Sequence, residues 1–191
     1  MQVHIELTGR TGLVMHNARL ADPLDPLAIE LKSMTSKTNK TDEDQRAIAE
    51  FEWRASLYHE PEIGVYVPTE NIIRSFRDAA TAWRLGQRVY DYVIPLSDKV
   101  PLQHDGPSEL SKLANRKENR LRKTVRVKSS RTARTRPIFR AWSLSFDFEL
   151  EEDGLNYEDL LRIIERAGRL EGVGTARRLG YGRYGAKVSR A

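Results

Sequence analysis

The 191-residue chain contains no cysteine, which excludes disulfide stapling, thiolate nucleophiles and thiolate metal sites. Histidine is scarce. His4, His16, His59 and His104 are scattered without ligand spacing, so no metal and no other cofactor is expected. No apolar run approaches the ~20 residues of a membrane helix, and the N-terminus lacks a signal-peptide core. These absences predict a soluble, cytoplasmic protein with no membrane partner.

Acidic residues are missing from one long stretch. The net charge of +5 is a modest argument for a polyanionic partner, but residues 112–140 hold twelve Lys or Arg against the single acid Glu118. Such a surface repels itself, and phosphates relieve that cost. The candidate phosphate contacts here are Lys117, Arg120, Arg122, Lys123, Arg126, Lys128, Arg131, Arg134 and Arg136. Residues 125–131 alternate as a strand and Thr135-Arg136-Pro137 interrupts them, so a basic hairpin is expected.

Residues 172–185 form the second unusual stretch, with five glycines, three arginines and two tyrosines. Glycine lets a ligand approach the backbone closely, arginine offers planar donor forks to phosphate, and tyrosine offers a face on which a base can stack. The candidate binding residues are Gly172, Gly174, Arg177, Arg178, Gly180, Tyr181, Gly182, Arg183 and Tyr184. Neutralising Arg177, Arg178 and Arg183 together is expected to weaken binding while leaving the melting temperature within a few degrees.

The other elements follow from periodicity. Residues 3–7 alternate as a first strand, and the turn-rich 22–26 and the small, polar 32–40 read as loops. Thr41 caps an acidic helix start at 42–58, with Ile48, Phe51, Ala55 and Tyr58 on its apolar face and Trp53 off it. Residues 69–84 read as a helix with Trp83 on its buried face, and 90–94 as a strand ended by Pro95. Residues 142–150 alternate Trp, Leu, Phe, Phe and Leu with polar residues as a half-buried strand, 157–169 form an amphipathic helix, and 184–188 a last strand.

Taken in order, strand 3–7, helix 69–84, strand 125–131, strand 142–150, helix 157–169 and strand 184–188 make an α+β chain with the split βαββαβ arrangement of ferredoxin-like and RNA-recognition-motif folds. The chain then reads as a single domain over 1–191. A helical insertion occupies 16–68, with its helix at 42–58, and a basic, mobile insertion occupies 95–124. The aromatics of 142–150 share a face with leucines and are expected to be buried, so binding should come from the loop and hairpin rather than the sheet face.

With Gly172-Val173-Gly174 and Gly180-Tyr181-Gly182-Arg183-Tyr184 following the last helix, the chain resembles the RAMP superfamily of CRISPR-associated proteins, which carry a C-terminal Gly-rich loop. Its basic insertion is similar to the thumb of that family's backbone subunits. Met15-His16-Asn17-Ala18-Arg19-Leu20-Ala21-Asp22-Pro23 and Thr135-Arg136-Pro137 are similar to phage-encoded proteins. The resemblance implies non-catalytic binding of single-stranded RNA by protomers repeated along the strand, in a homo-oligomer or multi-subunit complex. A phage setting makes single-stranded DNA an equal expectation.

Two other readings compete. The first is a metal-independent guide-RNA-processing endoribonuclease, for which His16, soon after the first strand, is the candidate general acid or base. The second is a structural or regulatory phage protein whose basic surface meets an acidic protein partner.

Overall fold

In a computed structural model that describes residues 1–127 and 130–190, alternation of apolar and polar side chains produces the longest pairings of the main sheet. Strand Gln2–Gly9 buries Val3, Ile5 and Leu7, and strand Trp142–Leu150 buries Trp142, Leu144, Phe146, Phe148 and Leu150. Their antiparallel register sets Val3 opposite Phe148, Ile5 opposite Phe146 and Leu7 opposite Leu144, so these apolar residues fall on one face. The chain is α+β, its strand pairs antiparallel, and it divides into two compact units.

The first unit gathers residues 1–13, 59–105 and 140–191. Its main sheet runs in the order Tyr184–Arg190, Gln2–Gly9, Trp142–Leu150, Val93–Pro95, with Gln103–His104 also paired to Trp142–Leu150. Helix Thr69–Ala80 turns Ile72, Phe76 and Ala79 inward, and Phe76 meets Phe148 edge-on at 6.1 Å. Helix Tyr157–Arg166 buries Leu160, Ile163 and Ile164. A second small sheet joins His59–Glu60, Gly64–Pro68 and Lys99–Pro101.

The opposite face of the main sheet is polar. His4, Glu6, Ser145, Asp147, Glu149 and Lys187 share it, and the His4 ring meets Asp147 Oδ1 at 2.7 Å. Its carboxylates outweigh its lysine, which makes this face unattractive to phosphates.

The second unit gathers residues 14–58 and 106–139. Helix Asp42–Ser56 starts with a reciprocal capping box between Thr41 and Asp44 and carries three acids in its first turn. Its inner face differs from the expected stripe. Phe51 is half-buried, whereas Glu52 and Trp53 are buried, because Trp53 donates from Nε1 to the Asn119 carbonyl at 2.8 Å and Glu52 serves the hairpin. The hairpin pairs Arg120–Val127 with Ser130–Phe139, and its second strand runs unbroken through Thr135-Arg136-Pro137. The Pro137 carbonyl still takes part in pairing, accepting the Met15 N–H at 3.1 Å, although its nitrogen has no hydrogen to donate.

Other expectations are corrected. The single strand read at 125–131 falls instead on both strands of the hairpin, 125–127 on one and 130–131 on the other, with 128–129 outside the described residues, and Val93–Pro95 is the strand beside Trp142–Leu150. Residues expected as strand at 90–94 begin as helix Gly86–Tyr92. Helix Pro26–Ser36 replaces most of the expected loop at 32–40, because Asp25 caps it and Pro26 suits the first turn, where no N–H is needed. Within the stretch 95–124 lie strand Lys99–Pro101, helix Leu110–Asn115 and a turn at Lys117–Asn119. Trp83 is 39% exposed, with the guanidinium groups of Arg162 and Arg166 over its ring at 5.4 and 5.5 Å.

Candidate nucleic-acid interface

The hairpin concentrates charge by its register. Lys123 stands opposite Arg134, Arg126 opposite Arg131, and Arg122 opposite Thr135. Arg122, Lys123 and Arg131 are exposed, and Lys117 is exposed in the turn that leads into the hairpin. Cationic residues facing one another across the strands concentrate positive charge on the hairpin, and at Arg134 the Glu52 carboxylate meets part of it. Arg120 is committed within the fold, since its Nε donates to the Ala114 carbonyl at 2.8 Å and its guanidinium lies 6.0 Å from the Trp53 ring centre. Lys128 lies outside the described residues.

At the root of the hairpin a cavity of about 420 Å³ is lined by His16, Ser56, Glu52, Arg134 and Arg136, with Leu20, Leu31, Val125 and Thr135 filling its walls. The strand residue Thr135 is held by its backbone N–H to Glu52 Oε2 at 2.9 Å, and Arg134 donates to the other carboxylate oxygen. Glu52 thereby offsets one of the two arginines. Arg136 is half-buried beside Arg134, and burial together with that neighbour lowers its pKa.

His16 is positioned by its neighbours in sequence. The Asn17 N–H donates to the Ser56 carbonyl at 3.1 Å, Asn17 Nδ2 donates to the Leu57 carbonyl at 3.2 Å, and the Ala18 N–H donates to Tyr58 Oη at 3.0 Å. These bonds tie 16–18 to the end of helix Asp42–Ser56 and bring His16 Nδ1 within 3.4 Å of Ser56 Oγ. The ring is reachable by solvent at the cavity mouth, while the protein behind it and the positive charges of Arg136 and Arg134 hold its pKa down, to about 4. At neutral pH the cavity therefore presents a neutral imidazole, a hydroxyl, two guanidinium groups and the Glu52 carboxylate.

In the first unit the Gly-rich loop is folded largely on its own backbone. Gly172, Gly174, Gly180 and Gly182 all have positive φ. The Val173 N–H donates to the Gly182 carbonyl at 2.9 Å, the Gly182 N–H to the Gly12 carbonyl at 2.9 Å, and the Arg183 N–H to Thr11 Oγ1 at 2.9 Å. A Cβ on Gly182 would lie 1.9 Å from the Val173 carbonyl oxygen, and one on Gly172 would lie 2.7 Å from that of Gly182. These glycines permit close approach of the chain to itself.

The side chains of the loop diverge. Tyr184 is 1% exposed, and its hydroxyl lies 3.2 Å from Ser75 Oγ. Burial pushes its phenol pKa up and removes its ring from any stacking role. Tyr181 is half-buried. Arg177 donates to Asp78 Oδ2 at 2.8 Å and Arg183 to the Arg177 carbonyl at 3.2 Å, whereas Arg178 is exposed. These three arginines line a second cavity of about 420 Å³ with Asp78, Thr81, Leu170 and Glu171, where its two acids offset part of their charge.

The expected site residues thus fall in two places: Arg134 and Arg136 join His16 in one unit, and Arg177, Arg178 and Arg183 join one another in the other. Sequence reasoning missed Glu52 and Ser56. Their spacing of four on one helix was a signal that they share a face. No protein-family model matches the chain, and no curated protein matches its sequence.

Proposed function

We propose that the protein binds single-stranded nucleic acid without cleaving it, using the basic hairpin Arg120–Phe139 as its principal phosphate-contacting element. The register of the hairpin carries this reading, because it sets Lys123 against Arg134 and Arg126 against Arg131, and among the described residues the cavity at its root holds one acid, Glu52. A phosphate chain laid across the strands would neutralise cations of the hairpin and release condensed counterions, which supplies the affinity. The acidic open face of the main sheet argues for contact through the hairpin and loop.

We also read the first unit as a ferredoxin-like core. The sheet order Tyr184–Arg190, Gln2–Gly9, Trp142–Leu150, Val93–Pro95, with a helix between the strands of each half, is compatible with a βαββαβ arrangement. Relationship to the RAMP proteins, assembly of protomers along a strand, and the choice of RNA or DNA belong to the proposal.

Fluorescence polarisation of labelled 20-nucleotide RNA and DNA across a salt series tests it. Affinity is expected to fall steeply with salt, and replacing Arg122, Lys123 and Arg131 by Gln is expected to reduce the salt slope by about two, from roughly 0.7 per neutralised phosphate contact. Absence of binding to either strand at low salt would overturn the reading and favour an acidic protein partner.

A further inference from the structure

The cavity beside His16 has the composition of an anion pocket. Its polar wall includes the His16 imidazole, the Ser56 hydroxyl, the Arg134 and Arg136 guanidinium groups and the Glu52 carboxylate, and its volume of about 420 Å³ falls within the range of sites that hold small ligands, roughly 300–1,000 Å³. Glu52 is engaged with Arg134 and the Thr135 N–H, which leaves one positive charge uncompensated within the cavity. The groups facing His16 come from three segments: Ser56 and Glu52 from helix Asp42–Ser56, Arg134 and Arg136 from strand Ser130–Phe139, and Tyr58, whose hydroxyl donates to the His16 carbonyl at 3.4 Å.

We propose that this cavity seats one phosphodiester of a strand lying along the hairpin, with Arg136, Ser56 and His16 as its donors, and that His16 takes up a proton as the phosphate enters. The step is a protonation: solvent supplies the proton, imidazole becomes imidazolium, and no covalent bond to phosphorus changes. Before the phosphate enters, burial first and then the two arginines disfavour a third cation. A bound phosphodiester, negatively charged throughout the accessible pH range, supplies the counter-charge that Glu52 cannot, and a nearby opposite charge raises a histidine pKa. The consequence is linkage: proton uptake on binding requires that affinity rise as pH falls.

This inference rests on the hairpin as a nucleic-acid interface, and the test separates the two. The full-length protein is titrated with the dinucleotide dTpdT, which carries a single phosphodiester, while the His16 ring resonances are followed by NMR over pH 4–8. The expected result is a His16 pKa that rises from about 4 toward neutrality, with dTpdT bound about fivefold or more tightly at pH 5.5 than at pH 7.5. Arg136→Gln is expected to abolish both effects, and Ser56→Ala to reduce them, with folding of each variant checked by far-ultraviolet circular dichroism. If a 20-nucleotide strand binds yet the His16 titration is unmoved, the pocket is wrong and the hairpin reading stands. If dTpdT moves His16 but the long strand shows no salt-dependent binding, the hairpin reading fails and the pocket stands. A response to the monoester pdT alone would overturn the assignment to a phosphodiester and make the cavity a terminal-phosphate site.

Discussion

Glu52, buried on a helix, accepts the backbone N–H of Thr135 at 2.9 Å and so fixes the position of the hairpin strand that bears both cavity arginines. Its other oxygen accepts from Arg134. Removing the carboxylate strands a buried donor and a partly buried cation together. Glu52→Ala is therefore expected to lower unfolding free energy by about 2–3 kcal/mol, given that hydrogen bonds to charged groups are worth roughly 1.5–3. Glu52→Gln, which keeps an acceptor, should cost less; urea denaturation of the two variants checks the order, and equal stability to wild type would show that the hairpin is anchored elsewhere.

His16 predicts a pH dependence of stability. Its pKa in the folded chain, about 4, lies below the ordinary value of 6.5, so between these values the unfolded chain binds more protons. Stability is then complete above pH 6.5 and falls as pH drops toward 4. Solvent at the cavity mouth screens part of this effect. His16→Gln should flatten the loss of melting temperature in that window relative to wild type, and an identical pH profile would place the ring in ordinary solvent.

Arg177 and Arg178 are adjacent yet should behave differently. Arg177 is paired with Asp78, and its carbonyl receives Arg183, whereas Arg178 is exposed. Arg178→Gln should leave the melting temperature unchanged, while Arg177→Gln should cost about 1 kcal/mol, the order expected of a half-buried pair. Neutralising Arg177, Arg178 and Arg183 together thus carries a structural cost that the sequence did not reveal. Thermal melts of the two single variants test this, and equal melting temperatures would remove the structural role given to the Arg177–Asp78 pair.

Gly180 and Gly182 both have positive φ, at 86° and 71°, but only Gly182 is sterically enclosed. Alanine at 180 meets open space and should cost about 1–2 kcal/mol for the left-handed backbone alone. Alanine at 182 would collide with the Val173 carbonyl, so its cost should be clearly larger, through displacement of the Val173–Gly182 pairing. Comparable melting temperatures for the two variants would contradict the packed loop.

How much was legible in sequence depended on whether an element was governed by local rules. The strand Trp142–Leu150 was readable residue for residue, because period-2 alternation depends only on the pleat. The start of helix Asp42–Ser56 was readable because capping is local. The failures share a cause. Helix Gly86–Tyr92 carries tyrosine and valine, which also suit strands, and tertiary packing decided between them. Phe51 was placed inside and Trp53 off the face, but the partner surface of the helix, including the Asn119 carbonyl, selected Trp53. The basic segment was plain from charge alone, whereas its register, and hence which charges stand opposite one another, required the pairing itself.

The sequence by itself determined the α+β composition, the strand and helix with the cleanest periodicity, the basic segment at 112–140 and the glycines that need positive φ, because each is a property of neighbouring residues or of summed charge. Only the tertiary structure decided that Arg134, Arg136, Ser56 and Glu52 surround His16, that Gly172 and Gly182 serve internal packing, and that Tyr184 is buried. Most of those facts join residues far apart along the chain, such as His16 with Arg136 and Ser75 with Tyr184, brought together by packing and hydrogen bonding that no local pattern encodes.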